Sequence, residues 1–98
     1  MFFTYCQNNS GGVFDQNETV DVYTIVEADS ADEADRRAEA IGIYFDGCEK
    51  DIDCECCGDR WERQWEKGTE TPTVYGEPAH LERGVVIHYA DGKIQHYK

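Results

Sequence analysis

The dipeptide Asp91-Gly92, set between Val85-Val86-Ile87-His88-Tyr89-Ala90 and Lys93-Ile94-Gln95-His96-Tyr97, constrains this chain more than any other feature. Two β-branched and aromatic runs around Asp-Gly predict an antiparallel hairpin closed by a two-residue turn. That turn sets Ala90 opposite Lys93, His88 opposite Gln95 and Val86 opposite Tyr97. Val85, Ile87, Tyr89 and Ile94 then form the apolar face, with His96 at its edge and His88 as an exposed sheet residue.

Residues 2 to 7 and 20 to 27 also read as strands, pairing antiparallel across a loop that contains Asn8-Asn9-Ser10-Gly11-Gly12. Between them and the hairpin lies one clear helix. Ser30 as N-cap with Glu33 three residues on forms a capping box, and Gly42 stands where a terminating glycine belongs, which predicts a helix over 31 to 41. Ala31, Ala34, Ala38 and Ile41 share one face and let it lie close to a sheet, while Asp32, Asp35 and Glu39 line the other. Asp32 to Arg36 and Glu33 to Arg37 are acid-first pairs four apart that support the helix.

At 98 residues there is room for one core, so residues 1 to 98 are expected to form a single small domain. The expected fold class is α+β: an antiparallel sheet from the N-terminal strands and the C-terminal hairpin, one packed helix, and a cysteine knuckle as an excursion. Trp61, Arg63 and Trp65 alternate as on a strand, although Trp61 and Trp65 are also four apart as on a helix; the strand reading is preferred. Gly68 to Glu77 reads mostly as loop around an extended Thr73-Val74-Tyr75. Unpaired sheet edges in so short a chain make a homodimer a reasonable expectation.

Four of the five cysteines fall within ten residues, a density suited to thiolate or metal chemistry. Cys54 and Cys57 form a C-x-x-C pair followed by Gly58, a spacing that lets two thiolates converge on one tetrahedral zinc. Cys48 supplies a third ligand, with Cys56, Cys6, His80, His88 or His96 as the fourth; the set Cys48, Cys54, Cys56 and Cys57 is the expected structural zinc knuckle. The competing reading is that these are reduced thiols packed as small apolar residues. Asp46, Glu49, Asp51, Asp53 and Glu55 surround them and would raise thiol pKa values, which opposes a redox role and favours holding a cation. A calcium loop is excluded by the missing glycine at its sixth position and glutamate at its twelfth. No Walker loop, dinucleotide-binding glycine pattern, zinc-protease motif or nucleophile elbow occurs, and nothing points to catalysis.

Charge then narrows the partners. The chain carries 21 acids against nine Lys and Arg, a net charge of −12. Residues 15 to 55 hold 14 of the acids and three of the bases, so nearly all the excess lies in one half. This balance disfavours direct nucleic-acid binding and anionic membranes and suits a basic protein surface. Asp32, Asp35, Glu39, Asp46, Glu49, Asp51 and Asp53 are the residues expected to meet it. With no membrane span and no secretory signal in the sequence, the expected setting is a cytoplasm. The alternative is a small-ligand, nucleotide-type binding or sequestering protein. It would use the backbone of Asn8, Asn9, Ser10, Gly11 and Gly12, with Tyr5, Trp61 and Trp65 to stack on a base.

The opening Phe2-Phe3-Thr4-Tyr5-Cys6-Gln7-Asn8-Asn9-Ser10-Gly11-Gly12, the segment Ile43-Tyr44-Phe45-Asp46-Gly47 and the knuckle Asp53-Cys54-Glu55-Cys56-Cys57-Gly58-Asp59-Arg60-Trp61 together resemble an uncharacterised family of small acidic proteins carried by bacteriophages and some bacterial genomes. The knuckle is similar to half of a zinc ribbon. The resemblance implies a bacterial cytoplasm, where small accessory proteins bind and modulate, often inhibit, host machinery.

Overall fold

The computed structural model describes residues 1 to 9, 13 to 53, 55 to 64 and 67 to 98. Its main sheet has four strands in the order β1-β2-β5-β6, with β1 at Phe2–Cys6, β2 at Tyr23–Glu27, β5 at Val85–His88 and β6 at Ile94–Tyr97. Helix α1 spans Ala31–Ala40, and β3 at Thr73–Val74 pairs with β4 at Glu77–Pro78 in a separate two-stranded ribbon. The architecture is α+β, as the sequence predicts.

The helix is bounded by the residues expected to bound it. Ser30 Oγ accepts the Glu33 N–H at 3.2 Å. At the other end Ile43 N–H donates to Ala38 O and Gly42 N–H to Glu39 O, the paired bonds that close a helix on a left-handed C′ residue. The acid-first pairs on the helix do not close as ion pairs; Arg37 Nη2 instead donates to Tyr89 O at 3.3 Å.

Two expectations about the sheet need correction. The first is that it is antiparallel throughout. β1 with β2 and β5 with β6 are antiparallel, but β2 and β5 run parallel. A parallel pair needs a crossover, and here α1 and the long excursion behind it carry the chain back to the starting end of β2. The second is the hairpin register, which is shifted by one residue. His88 faces Ile94 and Ile87 faces Gln95. Tyr89 N–H donates to Lys93 O and Gly92 N–H to Tyr89 O, with Gly92 at φ 93°, so the loop has three residues and ends in a glycine bulge. Asp-Gly satisfies either turn; the observed register differs in where it puts the β6 side chains, setting Tyr97 beside Val85 on the face packed by Val74 and Ala79, and Ile94 beside His88 on the other.

Both faces are covered. Against one, Phe3, Tyr5 and Val26 pack with Ala34 and Ala38 of the helix and with Ile43, Phe45 and Trp61. Against the other, Ile25, Val85 and Ile87 pack with Val74 and Ala79. His88 is therefore buried, not exposed: it donates from Nε2 to Thr19 O at 2.6 Å, and burial lowers its pKa. The expected strand through Trp61 and Arg63 is absent, since residues 61 to 64 have no regular structure. That segment instead follows the outer side of β1, where Asn8 N–H donates to Arg60 O and Gln64 Nε2 to Thr4 O.

Candidate functional site

The excursion after the helix is organised by a buried arginine that is not among the residues singled out from sequence. Arg60 is 8 % exposed. Its Nη1 donates to Gln7 Oε1 at 2.9 Å and to Val13 O at 2.6 Å, and its Nε to Tyr44 OH at 3.0 Å. Asp53 and Asp15 flank the guanidinium at 3.8 and 3.5 Å. Asp53, itself buried, accepts the Arg60 N–H at 2.7 Å and the Tyr44 hydroxyl at 2.6 Å. Burial and the bond to Asp53 push the Tyr44 phenol up to about 12. Gln7 completes the set by donating to Asp15 O and Asp21 O. The segments 13 to 21, 44 to 53 and the end of β1 thus close on one cation. Arginine suits this position because its planar fork serves several acceptors at once and keeps its charge when desolvated.

Bonds of this and neighbouring kinds divide the acids expected to meet a partner. Asp53 is buried in it and unavailable. Gly47 helps place that carboxylate: a Cβ there would overlap Asp53 Oδ2, so the chain approaches as only glycine can. Asp35 accepts the Tyr5 hydroxyl at 2.7 Å and the Gln64 N–H at 3.0 Å. Asp46 forms a two-pronged pair with Arg63, at 3.0 and 2.7 Å, which lowers its pKa. The same Arg63 lies 5.0 Å over the Phe45 ring and also senses the charges of Asp35 and Glu39. Asp32, Glu39, Glu49 and Asp51 are exposed.

Two of the three aromatics expected to form a small-ligand platform are core residues. Tyr5 and Trp61 are each 1 % exposed and belong to the core. Burial and the bond to Asp35 raise the Tyr5 pKa. Trp61 Nε1 is buried without a hydrogen-bond partner among the described residues. Asn8 is engaged too, donating to Cys57 O at 2.6 Å and Asp59 O at 3.3 Å. Asn9 is exposed. Ser10, Gly11, Gly12 and Trp65 lie outside the described residues.

Of the expected zinc ligands, Cys48 is half-buried, Cys56 and Cys57 are exposed, and Cys54 lies outside the described residues. Of the other proposed fourth ligands, Cys6 and His80 are exposed, His88 is engaged by Thr19, and His96 lies on β6. Among the described residues no group of three or more His, Cys, Asp or Glu is placed to hold a metal ion. Burial, with Asp59, Asp53 and Glu55 nearby, pushes the Cys48 thiol up to about 11, so at neutral pH a metal would have to displace its proton.

Among the described residues no helix is long and apolar enough to cross a membrane. No curated protein and no solved structure matches the chain. The family model described as Domain of unknown function (DUF7296) matches residues 1 to 98, and the protein belongs to that family.

Proposed function

We propose that this is a non-enzymatic accessory protein that binds a basic surface of a host protein and modulates it, most simply by occluding that surface. The observation that carries this reading is the meeting of helix and excursion acids at Arg63, which pairs with Asp46 and senses Asp35 and Glu39. Acids from two chain segments therefore meet at Arg63, and Arg63 with Lys50 offsets part of their charge. Asp32, Glu39, Glu49 and Asp51 keep their carboxylates in solvent, where long-range attraction speeds encounter and weakens with salt. The resemblance to phage-borne proteins supplies the setting, a bacterial cytoplasm.

Capture of partners from bacterial lysate tests the reading. A partner should be retained by the wild type at low salt and lost on charge reversal at those four positions; one that persists through both reversal and high salt contradicts it. The zinc staple of Cys48, Cys54, Cys56 and Cys57 is a separable proposal. Elemental analysis of tag-free protein decides it: the expected outcome is one zinc per chain, lost when Cys54→Ser and Cys57→Ser are combined.

A further inference from the structure

The two edges of the main sheet are treated differently. Along β1, several of the backbone groups that point away from β2 are met by the returning chain. Phe2 exchanges both its bonds with Thr69, Thr4 O accepts from Gln64, and Asn8 N–H reaches Arg60 O. Along β6 no further strand follows among the described residues. The Tyr89 to Lys93 bond fixes Ile87 with Gln95 and Val85 with Tyr97 as the hydrogen-bonded pairs, so the N–H and C=O groups of Ile94 and His96 point outward. Their one contact among the described residues is a 3.5 Å approach of Gln95 Nε2 to His96 O.

The surroundings of this open edge are chemically unlike the rest of an acidic protein. Ile94 is 46 % exposed. Beside it is a hollow of about 250 Å³ lined by Val26, Ile41 and Ile94 together with the cations Arg37 and Lys93, and none of its lining residues is acidic. Two carboxylates at the hairpin accept backbone N–H groups, Glu27 from Ala90 and Asp91 from Lys93, and neither lines the hollow. Residues 93 to 98 contain two lysines and no acid. Glu18 and Asp21 line a second hollow at the His96 and Lys98 end, so the preference for acid belongs to the Ile94 end.

We propose that the outer edge of β6 is a strand-addition site for an extended acidic segment of a partner protein. The segment adds a fifth strand through the backbone groups of Ile94 and His96, seats an apolar side chain in the hollow beside Ile94, and sets carboxylates against Arg37 and Lys93. Main-chain bonds supply affinity in such additions and side-chain pockets supply selectivity. A second copy of this chain fits less well. Antiparallel pairing of two β6 strands would bring the lysines at positions 93 and 98 of one copy toward those of the other, and would join two chains of charge −12.

The test uses the full chain, isotope-labelled, with a short capped peptide alternating glutamate and valine as probe and one alternating lysine and valine as control. With free glutamate peptide at about ten times its Kd, amide exchange at Ile94 and His96 should slow about tenfold, and the lysine peptide should have no such effect. Lys93→Glu should weaken binding about tenfold. His96→Pro removes an outward N–H without touching the ladder to β5 and should abolish binding; retained protection of the Gln95 and Tyr97 amides checks that the hairpin is intact. Three results overturn the proposal: no protection at millimolar peptide, equal protection by the lysine peptide, or unchanged affinity in Lys93→Glu. Protection of the same amides in concentrated protein without peptide also overturns it, by giving the edge to a second copy.

Discussion

Asp51 and Asp53 stand two residues apart in the same acidic stretch, yet Asp51 is in solvent and Asp53 is 8 % exposed against a buried arginine. The same division runs through all seven acids of the expected docking face. Asp53, Asp35 and Asp46 accept bonds from Arg60, Tyr5 and Arg63, whereas Asp32, Glu39, Glu49 and Asp51 remain in solvent. Net charge is therefore a poor guide to which carboxylates are available. Some of them hold the fold together, and the excess left in solvent is what a partner would meet.

Substitutions should separate the two groups by size of effect. Asp53→Ala leaves Arg60 buried beside a missing carboxylate and should cost about 3 to 5 kcal/mol in denaturant unfolding. Asp35→Ala strands the buried Tyr5 hydroxyl and the Gln64 N–H and should cost about 1 to 3 kcal/mol in the same measurement. If either variant unfolds at the wild-type midpoint, that carboxylate belongs with the solvent-facing group.

A pH series reads the interior through a different group. The buried His88 has a lowered pKa, so the unfolded chain takes up its proton first as pH falls. Its contribution is fully present above the unfolded value of about 6.5 and declines as pH drops below it. His88→Gln should flatten that part of the stability profile. Asp46→Asn should have the smallest structural effect, since its pair with Arg63 lies at the surface and is screened by salt. A large loss there would show that the Arg63 pair holds the fold as firmly as the buried bonds of Asp53 and Asp35.

Much of this fold was legible from local pattern, because helix caps and turns act over a few residues. Ser30, Glu33 and Gly42 bound the helix, and Asp91-Gly92 turns a hairpin, as read from sequence. The hairpin register is not legible in the turn: Asp-Gly closes a two-residue loop or a three-residue loop with a bulge, and which one places Tyr97 over Val85 and the Val74 cluster depends on packing far along the chain. The parallel β2 to β5 pairing depends on where a long crossover returns, which no local signal encodes. At the site, the acids were found by counting but their division was not. The missed residue is Arg60, and its one signal is being the first base after the acid-rich run from Asp51 to Asp59. Trp61 reads as a ligand platform because an aromatic beside a polar loop looks the same in sequence whether it stacks on a base or, as here, fills a core.

The most direct test of the central claim joins stability and binding in one variant. Asp32→Lys, Glu39→Lys, Glu49→Lys and Asp51→Lys together should leave the unfolding midpoint close to wild type while abolishing capture of the lysate partner that wild type retains at low salt and releases at high salt. Unchanged capture by the folded variant would contradict the account, because binding would then not depend on the carboxylates left in solvent.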